Sequence, residues 1–208
     1  MKNQTTRTNA VEYIAYDLNA KCDNLRGFLR NSESIKNKTM MESYSRSLIA
    51  ANQEKVERIM MKRGDHTKDE LVNIDNAARE AMITAERYLK KDAKKFGGMI
   101  VENSKKLLAE AVSRGDFADM ASALRKGLYP AERYGSPEDT KLFATMLAKI
   151  NEYMVGKHLE SQKPTIELNH MISEWKEIAD RYNMKESKER AEKITPIVLS
   201  PAERLLRI

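Results

Sequence analysis

The residues best suited to bind a metal ion are three histidines, His66, His158 and His170. Glu167 precedes His170 by three positions, so both side chains share one helix face, which is half of the pattern used by di-iron carboxylate bundles. A complete site needs a second Glu-x-x-His, and neither of the other histidines has a glutamate three residues before it. We therefore expect no metal ion and no cofactor, and interpret His170 as a partly exposed helical residue.

The single cysteine, Cys22, is the other side chain with reactive potential. It lies in the apolar seam of a predicted helix, where a buried and inert thiol is expected. Asp17 and Asp23 lie nearby, and negative charge opposes formation of the thiolate. The sequence has no Gly-x-Ser-x-Gly motif and no glycine-rich phosphate-binding loop. We therefore expect a protein that is not an enzyme, without catalytic residues and without a small-molecule substrate.

The composition predicts an all-α protein. Charged residues make up 33% of the chain and aromatic residues 6%, and there are only 8 Gly and 5 Pro among 208 residues. Sheets favour aromatic and β-branched residues, so this composition suits helices better. Apolar residues also recur at alternating steps of three and four along two segments, as in helices that pack through heptad seams. These seams are Val11, Ala15, Leu18, Cys22, Leu25 and Leu29, and then Leu71, Ile74, Ala78, Ala81, Ala85 and Tyr88.

The predicted architecture is a multi-helix bundle with long antiparallel N-terminal helices and a compact C-terminal helical unit. Three long helices form a unit over residues 1–96, a compact helical unit covers 97–195, and an apolar docking tail covers 196–208. The segment Phe96-Gly97-Gly98 is predicted to be a hinge, and no repeat with a period of 20–50 residues is visible. Helices are predicted over residues 8–29, 33–63, 99–114, 164–183 and 185–193. Three more are predicted from their caps: one begins at a Thr67–Glu70 capping box, one runs from an Asp116 cap to Gly127, and one runs from Ser136-Pro137 to residue 157. Residues 195–199 are predicted to be extended.

Positive charge is concentrated in the first third of the chain. Residues 1–64 carry 12 Lys and Arg against 7 Asp and Glu, whereas residues 116–208 carry 15 of each. Arg26, Arg30, Lys36 and Lys38 cluster around the turn between the first two predicted helices. Such a cluster could contact the phosphate backbone of a nucleic acid, or another acidic partner, without reading sequence. The simpler interpretation is a solvated helix surface.

The seams and the tail favour binding to another protein. The tail carries apolar side chains that either pack on the protein itself or dock on a partner or a second copy. These candidates are Ile197, Val198, Leu199, Leu205, Leu206 and Ile208. The leading hypothesis is an interaction or assembly protein, such as an adaptor, a scaffold component or an inhibitor of a larger complex. The alternative hypothesis is a nucleic-acid-associated protein that uses the basic first third.

The expected location is the cytoplasm, or the reducing interior of a host cell. No apolar run approaches the roughly 20 residues that span a bilayer, so we expect no membrane partner. The N-terminal residues show no signal-peptide pattern, and a lone cysteine is typical of a reducing compartment.

Overall fold

A computed structural model describes residues 3–62, 64–89, 92–160 and 166–198, with side chains for residues 17–62, 64–89, 92–160 and 167–194. Every regular element in these ranges is helical, which confirms the predicted fold class. None of the helices in these ranges is long and apolar enough to cross a membrane. The helices are α1 (Asn3–Ser34), α2 (Lys38–Met60), α3 (Lys68–Thr84) with a π-helical turn (Ala85–Leu89), α4 (Ala93–Arg114), α5 (Phe117–Tyr134), α6 (Pro137–Glu160), α7 (Ile166–Arg181) and α8 (Lys185–Val198).

The chain forms two compact units, Met1–Asn103 and Ser104–Ile208, so the division falls inside α4. The predicted hinge at Phe96-Gly97-Gly98 is wrong, because all three residues lie within this helix. Phe96 and Gly97 are buried. Packing of the apolar helix face outweighs the roughly 1 kcal/mol that a glycine costs inside a helix.

Polar caps begin four of the helices. Thr67 and Glu70 form both halves of the predicted capping box, and Asp116 accepts a hydrogen bond from the Asp119 amide. Ser136 likewise accepts from the Asp139 amide at 3.1 Å. The fourth cap, Asn37, starts α2 later than predicted, because α1 continues to Ser34 and is followed by a short turn. Each such cap stabilises its helix by about 1 kcal/mol, by satisfying an amide that has no partner within the helix.

The described members of the two predicted seams are buried or partly buried in the first unit, and Val11 and Ala15 lie outside the residues whose side chains are described. Cys22 and Leu29 of α1 are buried against Leu48 and Ala51 of α2. A second cluster joins Val56 of α2 to Ile74 and Ala77 of α3, with Ile59 and Met99 packed around it. The contacts Lys21–Glu54 and Phe28–Tyr44 run in opposite order along α1 and α2, as in neighbouring helices joined by a short turn.

In the second unit, α5 runs past two residues that were expected to end it. Gly127 was predicted as the last residue, followed by a loop, but the helix continues to Tyr134 with Pro130 inside it. Both residues are buried. A Cβ on Gly127 would lie 2.8 Å from Cζ of Phe143 and 2.9 Å from Cβ of Ser104, so glycine permits a close approach here. Burial of this face outweighs the helix-breaking tendency of both residues.

The segment around Thr195 to Leu199 was predicted to be extended, but α8 continues to Val198. Pro196 lies in the last turn of this helix, where it removes the one hydrogen bond that an amide at this position would donate to the carbonyl four residues earlier. In the first turn of α8, Oγ of Ser187 accepts a hydrogen bond at 2.7 Å from the indole N–H of the fully buried Trp175 in α7. This bond fastens α8 to α7.

Replacement of Gly127 by alanine tests the close packing of α5. We expect Gly127→Ala to lower the free energy of unfolding by about 1–3 kcal/mol, because the added methyl group overlaps Phe143 and Ser104. The matched control is Gly156→Ala in α6, where a Cβ meets no atom within 4 Å. The control should be neutral or stabilising by up to about 1 kcal/mol. Urea unfolding followed by circular dichroism measures both, and equal stability of the two variants would contradict this packing.

Candidate functional site

A cleft of about 900 Å³ lies in the first unit, between α1, α2 and α3. Most of its surface is apolar, and charged and amide side chains are interspersed along it. The apolar lining residues are Leu18, Ile59, Met61 and Ala77, the amides are Asn19, Asn52, Asn73 and Asn76, and the charged residues are Arg26, Lys55, Arg58, Lys62, Glu70 and Glu80.

The cleft extends along all three helices for a similar distance. Its lining residues cover positions 18–26 of α1, 52–62 in α2 and just after it, and 70–80 of α3. At a rise of 1.5 Å per residue these segments are about 12–15 Å long. The cleft is therefore about three helical turns in length, with helices as its walls.

A polar network joins the three helices at one end of this cleft. The Arg26 guanidinium donates through Nε and Nη2 to the two carboxylate oxygens of Glu80, and the Nη2–Oε2 distance is 2.8 Å. The Asn52 amide donates to the same Oε2 at 2.7 Å and also to the Leu48 carbonyl. Bidentate pairing of this kind is geometrically specific. One residue from each of the three helices is thus held in a fixed position.

This network changes the ionisation of Glu80. Burial by itself would raise the pKa of Glu80, but hydrogen bonds from Arg26 and Asn52 outweigh it, so its pKa lies below the ordinary value of 4.5. The same hydrogen bond raises the pKa of Arg26. Both groups are therefore charged at neutral pH, and the pair is part of the folded structure, not a free acid or base.

The remaining charges along the cleft are mostly paired. Arg58 pairs with Glu54, and Lys62 pairs with Glu70. The latter bond is the main reason that the pKa of Glu70 lies below its ordinary value. Lys55 is half-buried and forms no direct ion pair with any residue that the structure describes. Its charge nevertheless helps to lower the pKa of Glu80, the carboxylate that Arg26 and Asn52 already bind.

The second unit contains the same polar network. Arg125 of α5 donates through Nε and Nη2 to Glu174 of α7 at 2.6 and 2.7 Å, and Asn151 of α6 donates to Oε2 of Glu174 at 2.7 Å. The donor and acceptor atoms are the same as in the first unit. Here too, hydrogen bonds outweigh burial and hold the pKa of the glutamate below its ordinary value.

The sequence register of the two networks also matches. Arg125 follows Arg26 by 99 positions, and Asn151 follows Asn52 by 99. The glutamates are 94 positions apart, so the segment from the asparagine to the glutamate is five residues shorter in the second unit. The buried pairs Leu48 and Leu147, and Val56 and Val155, keep the 99-residue register.

A second set of contacts follows the same registers. The Tyr88 hydroxyl donates to Glu33, which also pairs with Arg87 at 2.7 Å. Burial and this hydrogen bond raise the pKa of Tyr88 to about 12. In the second unit, Glu132 accepts from Tyr182 and pairs with Arg181, and these residues lie 99, 94 and 94 positions later. The chain therefore contains an internal repeat of 94 to 99 residues.

The two copies differ where the first has its cleft. Met171 occupies the position that corresponds to Ala77, and Met154 the position of Lys55. Phe117, at the position of Leu18, stacks on Tyr153 with ring centroids 4.4 Å apart. The second unit thus has larger apolar side chains at the positions of Ala77 and Leu18, and an apolar side chain in place of the charge of Lys55.

The four basic residues that were predicted to contact an acidic partner differ in their ion pairing and exposure. Arg26 pairs with Glu80 and also with Asp23, and its side chain is partly exposed. Arg30, Lys36 and Lys38 are exposed on either side of the turn between α1 and α2. Lys36 itself has a positive φ of 54°.

The predicted docking tail lies mostly beyond the described part of the chain. Ile197 and Val198 belong to the last turn of α8, which is described by its backbone only. The other four candidates, Leu199, Leu205, Leu206 and Ile208, lie outside the described residues.

Of the candidates for metal and thiol chemistry, Glu167 and His170 belong to the second unit, His66 lies 3.7 Å from Oε2 of the cleft residue Glu70, and Cys22 lies in the core. Glu167 and His170 are both exposed on α7. Within the described ranges, no three His, Cys, Asp or Glu side chains come together in a way that could hold a metal ion. The Cys22 thiol is fully buried, as predicted, and lies 3.9 Å from Oδ1 of Asn52. In the second copy Ala121 replaces this cysteine, and Oδ1 of Asn151 has no donor among the described residues.

Neither the cleft nor the repeat was predicted from the sequence. The repeat is visible in the sequence only as six residue types that recur in the same order. They are Arg26, Glu33, Asn52, Glu80, Arg87 and Tyr88 in the first copy, and Arg125, Glu132, Asn151, Glu174, Arg181 and Tyr182 in the second. The period of the repeat exceeds the 20–50 residues typical of solenoids, and most of the matched core positions differ in residue type. The cleft depends on side-chain size at Ala77, which periodicity does not reveal.

Removal of the carboxylate at Glu80 tests the polar network. We expect Glu80→Gln to lower the free energy of unfolding by about 1.5–3 kcal/mol, because Arg26 keeps its charge and loses its partner. The matched control is Glu54→Gln, whose exposed pair with Arg58 should contribute about 1 kcal/mol or less. Urea unfolding at neutral pH distinguishes the two, and equal effects would contradict a special role for Glu80.

The stability contributed by Glu80 should also depend on pH. Because its pKa is lowered on folding, this contribution is present above the ordinary glutamate pKa of 4.5 and is lost as the pH falls through the lower folded pKa. The difference in unfolding free energy between the wild type and Glu80→Gln should therefore shrink below about pH 4.5. Urea titrations from pH 7 to pH 3 measure it, and a constant difference would show that the charge is irrelevant.

The comparison with known proteins adds no assignment to these observations. The chain matches no protein-family model and no curated protein sequence.

Proposed function

We propose that this chain is a non-enzymatic helical interaction or assembly protein, and that it binds a partner protein in the cleft between α1, α2 and α3. The observation that carries the proposal is the contrast between the two copies of the repeat. The first copy keeps an apolar cleft next to Ala77, whereas the second has Met171 and the Phe117–Tyr153 stack at corresponding positions. The same framework can thus fold with larger side chains there, so the space in the first unit is not required for folding.

The apolar side chains at the cleft support this proposal. Met61 is 78% exposed and Ile59 is only partly buried, while Met60 next to them is 51% exposed. Exposed apolar surface beside a concave site is typical of a binding site, and flexible methionine side chains adapt to the shape of a partner.

The distribution of charge favours a protein partner over a nucleic acid. A nucleic acid requires free cations along a continuous basic surface. Along the cleft, Arg26, Arg58 and Lys62 each pair with a carboxylate of the chain itself, so the charges are interspersed. Arg30, Lys36 and Lys38 lie in exposed positions, and nucleic-acid binding through them is the alternative. Charge reversal of all three would abolish it in a low-salt filter-binding assay.

Two finer expectations belong to the same proposal. The apolar tail, residues 196–208, is a second docking segment, for a partner or for another copy of the chain. A buried free thiol at Cys22 suits the cytoplasm or another reducing compartment.

Filling the cleft tests the proposed function. We expect Ala77→Met, which imitates Met171, to remove the binding partner that the wild-type chain captures from its native host. Asn73→Trp, which adds bulk from an exposed lining position, should act in the same way without changing the core. The matched control is Ala50→Met, at an exposed position of α2 that does not line the cleft. Quantitative mass spectrometry of the captured proteins measures the loss.

Circular dichroism and light scattering accompany each capture, since a variant that unfolds or aggregates would lose its partner trivially. If the wild type self-associates and Ala77→Met becomes a monomer, the partner is a second copy. A partner retained by both folded cleft variants would contradict the proposed function.

A further inference from the structure

The chemistry of the cleft identifies the kind of partner segment that fits it. We infer that the occupant is an amphipathic helix of about three turns that presents a carboxylate to Lys55. This inference rests on the proposed function and adds the shape and the charge of the bound segment.

The shape of the cleft indicates a helical occupant. Its walls are helices, and its lining extends over nine to eleven positions of each one. An amphipathic helix laid into such a groove presents apolar side chains at spacings of three and four residues, which places them on one stripe. Ile59 and Met61 expose apolar surface that would contact this stripe, and the nearly buried Leu18 and Ala77 line the cleft beside them.

The charges in the cleft indicate that the bound helix is acidic. Four cations and two carboxylates line it, and both carboxylates, Glu70 and Glu80, are already bound by cations of the chain. Lys55 is half-buried and has no direct ion pair among the described residues. The carboxylate on which its charge acts, Glu80, is already bound by Arg26 and Asn52. A partly desolvated ammonium group beside apolar surface is unfavourable unless an anion pairs with it. A glutamate or aspartate on the bound helix would supply this anion.

The internal repeat links the charge of Lys55 to the cleft. The second copy has Met154 at the position of Lys55 and Met171 at the position of Ala77. The cleft and the charge of Lys55 therefore occur together in the first unit, and methionines stand at the positions of Lys55 and Ala77 in the second. Since the polar network is the same in both copies, Lys55 is not needed to build the framework. Its charge is instead linked to the cleft.

The test compares two synthetic peptides that differ only in charge. Each is about 14 residues long, carries the same leucine stripe and is held helical by a hydrocarbon staple, because short helices are marginal in water. One peptide has glutamates beside the stripe and the other has lysines. Fluorescence anisotropy with the full chain should show that the glutamate peptide binds roughly tenfold more tightly or better, as expected for a close charge pair.

Two variants locate the source of this preference. Lys55→Glu should reverse the preference, and Lys55→Met, which copies the second unit, should remove it. Arg46→Glu is the matched control: it makes the same charge change at an exposed position of the same helix that does not line the cleft, and it should keep the preference.

Three results would overturn the inference. If both peptides bind equally and Ala77→Met blocks both, the cleft binds helices without selecting charge, and the proposed function stands alone. If the preference survives Lys55→Glu, another cation is responsible. If neither peptide binds while the fatty acid laurate does, the occupant is a small anionic amphiphile. The proposed function itself fails only in the separate capture experiment.

Discussion

The fold depends on one arrangement of polar groups, a guanidinium and a carboxamide that bind the same carboxylate from three successive helices. Apolar seams hold helices together but specify their relative position weakly, because neighbouring apolar residues can replace one another. The position of α3 in particular is weakly specified by apolar packing, because its packed face has the small side chains of Ala77, Ala78 and Ala81. A bidentate Arg26–Glu80 pair accepts only one register, and Asn52 extends the constraint to the third helix. The repetition of the same bonds in the second unit indicates that this constraint defines the framework.

Once the register is fixed in this way, the size of the core side chains can vary between the copies. Ala81 and Trp175 are both fully buried, although they correspond in the repeat and differ greatly in volume. The first copy combines small side chains on α3 with an open cleft, and the second combines larger ones with aromatic stacking at the corresponding place. A binding surface can therefore arise on this framework by replacing a few side chains, without a change of fold.

Much of the helical architecture follows from local physical chemistry. The capping box at Thr67 and the caps at Asp116 and Ser136 were predictable because each satisfies amides close in sequence. The buried seam through Cys22 follows from spacing alone. Gly127 and Pro130 were misleading because their cost is local, whereas the burial that outweighs it comes from distant residues such as Phe143. The pair of Arg26 with Glu80 was not predictable for a similar reason, since the two residues are 54 positions apart.

The central claim is that the cleft in the first unit binds an acidic amphipathic helix. Methyl-resolved NMR of the full chain, titrated with the glutamate peptide, tests it most directly, because Ala77, Ile59 and Met61 each place a methyl group at the cleft. We predict that these three signals shift together and saturate, while the methyl signal of Met171 in the second unit stays unchanged. Shifts confined to the second unit, or none at saturating peptide, would contradict this account.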